Sequence, residues 1–138
     1  MTVHTGELRF ETGGDGHVTD LTEGVEAVVK QSGVEHGTVS VFVPGATAAV
    51  TTMEYEPGGV HDLQRLLDRL IPREGDYEHN RLNHDSNSHA HMRAAIVGPS
   101  ETIPVVAGRR ATGTWQQIVL IDFDDRPRSR RVVVSVAG

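Results

Sequence analysis

The sequence predicts a compact α+β domain, single over residues 1–138, with a largely antiparallel or mixed sheet, two main helices and one short helix. Three observations lead there. Short runs rich in β-branched residues recur, most of them bounded by Gly, Pro or Asp. Two other segments repeat their apolar residues at helical spacing. Strands and helices do not alternate one for one, as a parallel βαβ sheet would require.

The elements follow in order. Leu8–Thr12 alternates apolar and polar residues and reads as a strand, ended by Gly13-Gly14-Asp15-Gly16. Thr19-Asp20 offers a helix cap, and Leu21, Val25, Val28 and Val29 share one helical face up to Gly33. Gly37–Val43 and Ala46–Met53 read as neighbouring strands of one sheet, divided by Pro44-Gly45. Val60, Leu63, Leu66, Leu67 and Leu70 form the clearest helical stripe, closed by Pro72. The polar stretch Tyr77–His91 leads into a short helix, His91–Val97, stopped by Gly98-Pro99. Three strands finish the chain: Thr102–Val106, Gly113–Phe123 and Arg131–Val136. The last two are spaced to form an antiparallel hairpin.

Composition narrows the function. The formal net charge of −6 argues against nucleic acid, which needs a basic face. No apolar run reaches the roughly 20 residues of a membrane span, and the N-terminus has no secretory pattern, so a cytoplasmic location is expected. Without cysteine there is no disulfide, thiolate zinc site or cysteine nucleophile. Aromatic residues are only 4% of the chain, so its core must rest on Val, Ile, Leu and Ala. No Gly-rich phosphate loop occurs.

Half of the eight histidines lie within Tyr77–His91, together with Asp85. Neutral imidazole is the commonest metal ligand, and carboxylates complete such sites. His79, His89, His91 and Asp85 are therefore the candidate ligands of a divalent metal, and a solvated histidine-rich loop is the alternative. His89 and His91 would share a face on a strand but point apart on a helix. Glu54 ends a strand, where it is either a site carboxylate or a solvated charge. Asp62 suits a helix N-terminus through the dipole alone. Trp115, beside Gln116, could wall a pocket or serve as the main aromatic of a small core. Arg126, Arg128, Arg130 and Arg131 could grip phosphate with forked donors, or decorate an exposed turn.

Several blocks together resemble a known family. They are V-F-V-P-G-A-T-A-A-V-T-T-M-E over Val41–Glu54, H-D-L over His61–Leu63 and Y-E-H over Tyr77–His79. S-H-A-H-M-R-A-A-I-V-G-P-S over Ser88–Ser100, G-T-W-Q over Gly113–Gln116 and S-R-R-V over Ser129–Val132 complete the set. In that order they resemble the secondary thiamine-phosphate synthases, the YjbQ-type family, over nearly all of the chain after about residue 35. The resemblance implies a YjbQ-like α+β domain that assembles as a homotrimer. It also implies a weak transferase reaction joining a pyrimidine pyrophosphate to a thiazole phosphate. By position it assigns recurring polar residues to Glu54, Asp62, His79, His91, Trp115, Gln116 and Arg130. In this reading a zinc or magnesium ion sits on His79 and His91, with Asp85, Glu54 or His89 beside them, and Asp62 orients an imidazole. Arg130 holds phosphate, and Trp115 and Gln116 shape the pocket. One departure stands out: the family often has histidine where this chain has Gly45. The second expectation is a non-enzymatic trimer that binds a metal and a small phosphorylated metabolite.

Overall fold

In a computed structural model that describes residues 1–138, eight strands and four helices run in the order β1 (Val3–Thr12), β2 (His17–Asp20), α1 (Thr22–Ser32), β3 (His36–Phe42), β4 (Ala48–Met53), α2 (Pro57–Leu70), α3 (Glu78–Asn83), α4 (Ser88–Val97), β5 (Ser100–Val106), β6 (Arg109–Arg110), β7 (Gln117–Asp122) and β8 (Arg128–Ala137). They form two sheets. The larger has the order β1-β8-β3-β5-β6 and the smaller β2-β7-β4. Every pairing is antiparallel.

Alternation along the strands builds the first core. Val39 and Val41 of β3, Ile103 and Val105 of β5, and Val132, Val134 and Val136 of β8 turn inward from the large sheet. They meet Ala48 and Val50 of β4 and Ile118 and Leu120 of β7. Helix α1 and its N-cap Leu21 cover the rest of that face, the helix with Val25, Val28 and Val29. A Cβ on Gly6 or Gly24 would press into Val28 or Leu8 within 3 Å, so small residues let α1 lie close on β1.

The small sheet is buried on both faces, which explains the unbroken apolar run Ile118–Ile121. Its second face carries Ala49, Val119 and Ile121, which meet Leu67 of α2 and Ala90 and Ala94 of α4 in a second core. The Leu and Val stripe of α2 thus finds its partner. Glu56 caps this helix by accepting from the Gly58 and Gly59 amides, and Pro57 opens it.

Four expectations change. The segments β3 and β4 are not neighbours, and β7 and β8 do not form a hairpin; each pair is split between the two sheets. The reason is register. β8 matches β1 over ten residues, from Val3↔Ala137 to Thr12↔Arg128, and β7 is claimed by β4 and β2. Thr19-Asp20 belongs to β2, although Asp20 Oδ1 still accepts from the Thr22 amide at 2.9 Å. The polar stretch is not a loop. It holds α3 and the first turn of α4, giving four helices instead of three. It folds because it docks: the Ser88 amide donates to Asn80 Oδ1, and Arg93 reaches the Ile71 carbonyl and Asp68.

The double-sided burial of β7 has a measurable consequence. Leu120→Ala should cost about 2–5 kcal/mol of unfolding free energy, since a fully buried leucine leaves a cavity that two sheets cannot close. Chemical denaturation of the two proteins checks it.

Candidate functional site

The two sheets meet at one end through charge. Strand β7 ends at Asp122 and is followed by Phe123 and Asp124, with both carboxylates buried, and β8 begins Arg128-Ser129-Arg130 at the same spacing of two. Alternation therefore aims both members of each pair to one side. Arg130 forks onto Asp122, with Nε donating to Oδ2 at 2.7 Å and Nη2 to Oδ1 at 2.9 Å. The Thr12 hydroxyl of β1 donates to the same carboxylate. Arg128 Nε donates to Asp124 Oδ2 at 2.8 Å. Thr47, just before β4, donates its hydroxyl to Asp124 at 3.1 Å and accepts from Arg130 Nη2 at 2.7 Å. Asn87 adds a longer contact to Asp124, at 3.4 Å.

Burial by itself would raise both carboxyls. Around Asp122 the Arg130 fork, the Thr12 hydroxyl and the Asp124 amide outweigh it and hold the group below the ordinary carboxylate range. At Asp124, Arg128 and the Asp125 amide do the same, more strongly. Both sites therefore stay ionised, and the Arg130 guanidinium is held charged by Asp122.

The side chain of Arg130 is only 10% exposed. Two of its three nitrogens are spent on Asp122 and Thr47. The third, Nη1, lies beside Gly45, where an added Cβ would stand 2.9 Å away. Arg130 lines a cavity of about 290 Å³ with Arg9, Arg131, Ser129, Phe10, Glu11 and Pro44. Gly45 borders a second cavity, about 370 Å³, with Ala46, Ala48, His91, Met92, Ala94, Ala95 and Pro99. Pro44-Gly45 thus divides an arginine-lined recess from a mostly apolar one that a histidine enters.

His91 does not stand alone. Its ring lies 4.8 Å, centre to centre, from that of His79, with the planes tilted by 47°. His79 sits in the first turn of α3 and His91 in α4, so the turn between these helices brings the two imidazoles together. The other expected ligands go elsewhere. Asp85 faces Arg126, 3.8 Å away, and its Oδ1 accepts from the Ser86 amide. His89 turns inward because α4 begins at Ser88 and helical spacing separates it from His91. It is 1% exposed, its Nδ1 has no partner, and burial followed by Arg93 and Arg73 lowers its pKa, so it remains neutral. Nowhere do three His, Asp or Glu side chains group as an ion would need. Two imidazoles are half of the usual four-coordinate zinc shell, so the residues of one chain do not by themselves fit a closed metal site.

Glu54 is exposed at the end of β4. Asp62 has its side chain 87% exposed, with only His61 nearby at 3.7 Å. Because α2 begins at Pro57, Asp62 lies past its first turn. Trp115 is 73% exposed in the segment before β7, so it is not the aromatic of the core; Phe123 is. Gln116 Nε2 donates to Thr52 Oγ1 at 3.1 Å, tying that segment to β4. Of the four arginines after Asp125, Arg126 and Arg128 are engaged by Asp125 and Asp124, leaving Arg131 and one arm of Arg130. Sequence reasoning missed Asp122, Asp124, Thr12, Thr47 and Asn87. A signal for the first two existed: acidic residues two apart at the end of an apolar strand, answered by arginines two apart at the start of the next.

The charge network makes a pH prediction. Asp122 has a folded pKa below its unfolded one, so its contribution is full above about pH 4 and is lost as pH falls through the folded value. Wild-type unfolding free energy should drop steeply below about pH 4, whereas Asp122→Asn should show a flatter acid limb. At neutral pH Asp122→Asn should cost about 3–5 kcal/mol, because Arg130 loses its counter-charge. Urea titrations across pH measure both.

Comparison with known proteins shows the family and the fold. The UPF0047 protein YjbQ-like family model matches residues 6–138. A UPF0047 protein of Methanothermobacter thermautotrophicus is 37% identical over 138 residues, all of this chain and 94% of that protein. UPF0047 protein YugU of Bacillus subtilis is 32% identical over 133 residues, 95% of this chain and 97% of that one. Among solved structures, a YbjQ-like protein of unknown function from Sulfolobus solfataricus superposes with a TM-score of 0.94 at 30% identity, covering 99% of this chain and 98% of that one.

Proposed function

The chain belongs to the UPF0047 YjbQ-like family, and from that premise we propose that it binds a small phosphorylated metabolite at the end of the sandwich where Arg130 meets Gly45. One observation carries the reading: a buried guanidinium, locked by Asp122 and Thr47, keeps Nη1 without a partner beside a residue that has no side chain. A locked arginine loses little entropy on gripping an oxyanion. Arg9 and Arg131 line the same cavity and add charge, although Glu7 shares them at 2.8 and 4.0 Å. The phosphate oxygens sit against Nη1 and Arg131, and the organic part extends over the apolar floor of Ala46, Ala48 and Ala94 toward His91.

A zinc or magnesium ion enters this reading only as the guest of the phosphate. His79 and His91 would supply two ligands to such an ion, and the bound molecule would have to supply the rest. Binding is favoured over turnover because Glu54, Asp62 and Arg130, the residues assigned to catalysis by resemblance, share no contact. Thiamine-phosphate synthase turnover would be the enzymatic form of the same site, without Trp115 and Gln116, which lie by Thr52 at the other end of β4 from Ala48. A homotrimer is supported by the exposed Met92 and Ile96, one turn apart on α4, and by the exposed Phe42. No helix is long and apolar enough to cross a membrane.

Calorimetry with inorganic phosphate and with thiazole phosphate, each with and without magnesium or zinc, tests the proposal. Binding should weaken about tenfold in Arg131→Ala, as loss of a charged hydrogen bond implies. Gly45→Ala should weaken it as well, by crowding Nη1. Absence of binding, or binding indifferent to both substitutions, overturns the proposal. Metal-dependent formation of thiamine phosphate from both substrates, abolished in His79→Ala, would establish the enzymatic form.

A further inference from the structure

A third cavity, of about 360 Å³, shares no lining residue with the other two. It lies within the range of small-molecule sites, roughly 300–1,000 Å³. One wall is the face of α2 that carries Pro57, Val60, His61 and Gln64, spaced three and four apart. The other is β2, with His17 and Val18. Two hydrogen bonds brace the walls. Gln64 Nε2 donates to the Gly16 carbonyl at 3.0 Å, and the Tyr55 hydroxyl donates to the Val18 carbonyl at 3.4 Å. The helix and its leading segment are thus tied to β2 and its turn at two points, with the recess held between them.

The chemistry of the lining is specific. His17 Nδ1 accepts from the Gly13 amide at 3.0 Å. That bond fixes the neutral tautomer with its proton on Nε2, so the free side of the ring is a hydrogen-bond donor and presents no lone pair to a metal. Glu56 lines the cavity, but its oxygens are spent on the Gly58 and Gly59 amides. Tyr55 gives its proton to Val18 and so offers an oxygen lone pair. Val18, Pro57 and Val60 supply apolar surface. Asp62 beside His61, together with Glu56, makes the rim acidic, which disfavours an anion. The lining therefore offers a guest one donor, one acceptor and apolar surface, which suits a small heterocycle able both to accept and to donate.

We propose that this cavity binds an uncharged heterocycle with a carbonyl and an N–H on one edge, the class that includes uracil and 2-pyridone. The carbonyl accepts from His17 Nε2–H, the N–H donates to Tyr55 Oη, and the ring lies on Val18, Pro57 and Val60. This site is independent of the phosphate reading, because none of its residues belongs to the other cavities.

Nuclear magnetic resonance titration of the full chain with uracil, 2-pyridone, 1,3-dimethyluracil and inorganic phosphate tests it. Saturable shifts at His17, Val18, Val60 and His61 are expected with uracil and 2-pyridone. 1,3-Dimethyluracil, which lacks the N–H, should bind more weakly, and phosphate should leave these signals unmoved. His17→Phe keeps a ring at an exposed position and should weaken uracil about tenfold through the lost donor, with only a small drop in melting temperature from the lost Gly13 contact. Tyr55→Phe should weaken it too and serves as the second variant. No saturable shift, shifts centred on Arg130 and His91 instead, or equal binding by His17→Phe and Tyr55→Phe would overturn the proposal. Failure of phosphate binding alone would leave this site standing.

Discussion

The fork of Arg130 on Asp122 joins two sheets that share no backbone hydrogen bond. Arg130 comes from β8 of the large sheet and Asp122 from β7 of the small one, and Thr12 of β1 meets them. Apolar contact can bring two sheets together, but it is non-directional and tolerates sliding. A bidentate ion pair fixes both distance and angle. Here it sits where the chain crosses between the sheets, through the short connection from Asp122 to Arg128. The cavities on either side of Pro44-Gly45 lie at this same end, so their shape depends on that lock.

The pair also explains how an arginine can be buried without stabilising the fold very much. Desolvating two charges costs nearly what their attraction returns, so a buried ion pair is weak evidence of added stability. Its value is orientation. Held by Asp122 and Thr47, Arg130 is rigid, and the arm left over beside Gly45 is aimed instead of wandering. A longer residue at position 45 would fill that space. The glycine therefore sets what this end of the molecule can recognise.

Much of the architecture was legible in the chain. The Val and Leu stripes of α1 and α2, the alternation in β1 and the apolar runs of β7 and β8 all announced their type, because burial on one face or two leaves its mark on the sequence. The pairing of strands did not. β3 and β4 adjoin in sequence across Pro44-Gly45 yet enter different sheets, and nothing local distinguishes a turn within a sheet from a crossing between two. The helix within the polar stretch went unforeseen for a related reason. Glu78–Asn83 has little apolar content, and its helix is held by Asn80 and by the neighbouring α4 through contacts that no window of sequence reveals.

The chain by itself determined most of the elements, the family and the gathering of histidines in one segment. Local periodicity and residue chemistry suffice for those. Only the tertiary structure decided which imidazoles meet: helical spacing in α4 turns His89 into the interior and leaves His91 against His79. It likewise decided that Asp122 and Asp124 are buried partners of Arg130 and Arg128 instead of turn residues. Convergence of side chains depends on register between distant strands, and register is settled by the whole core at once.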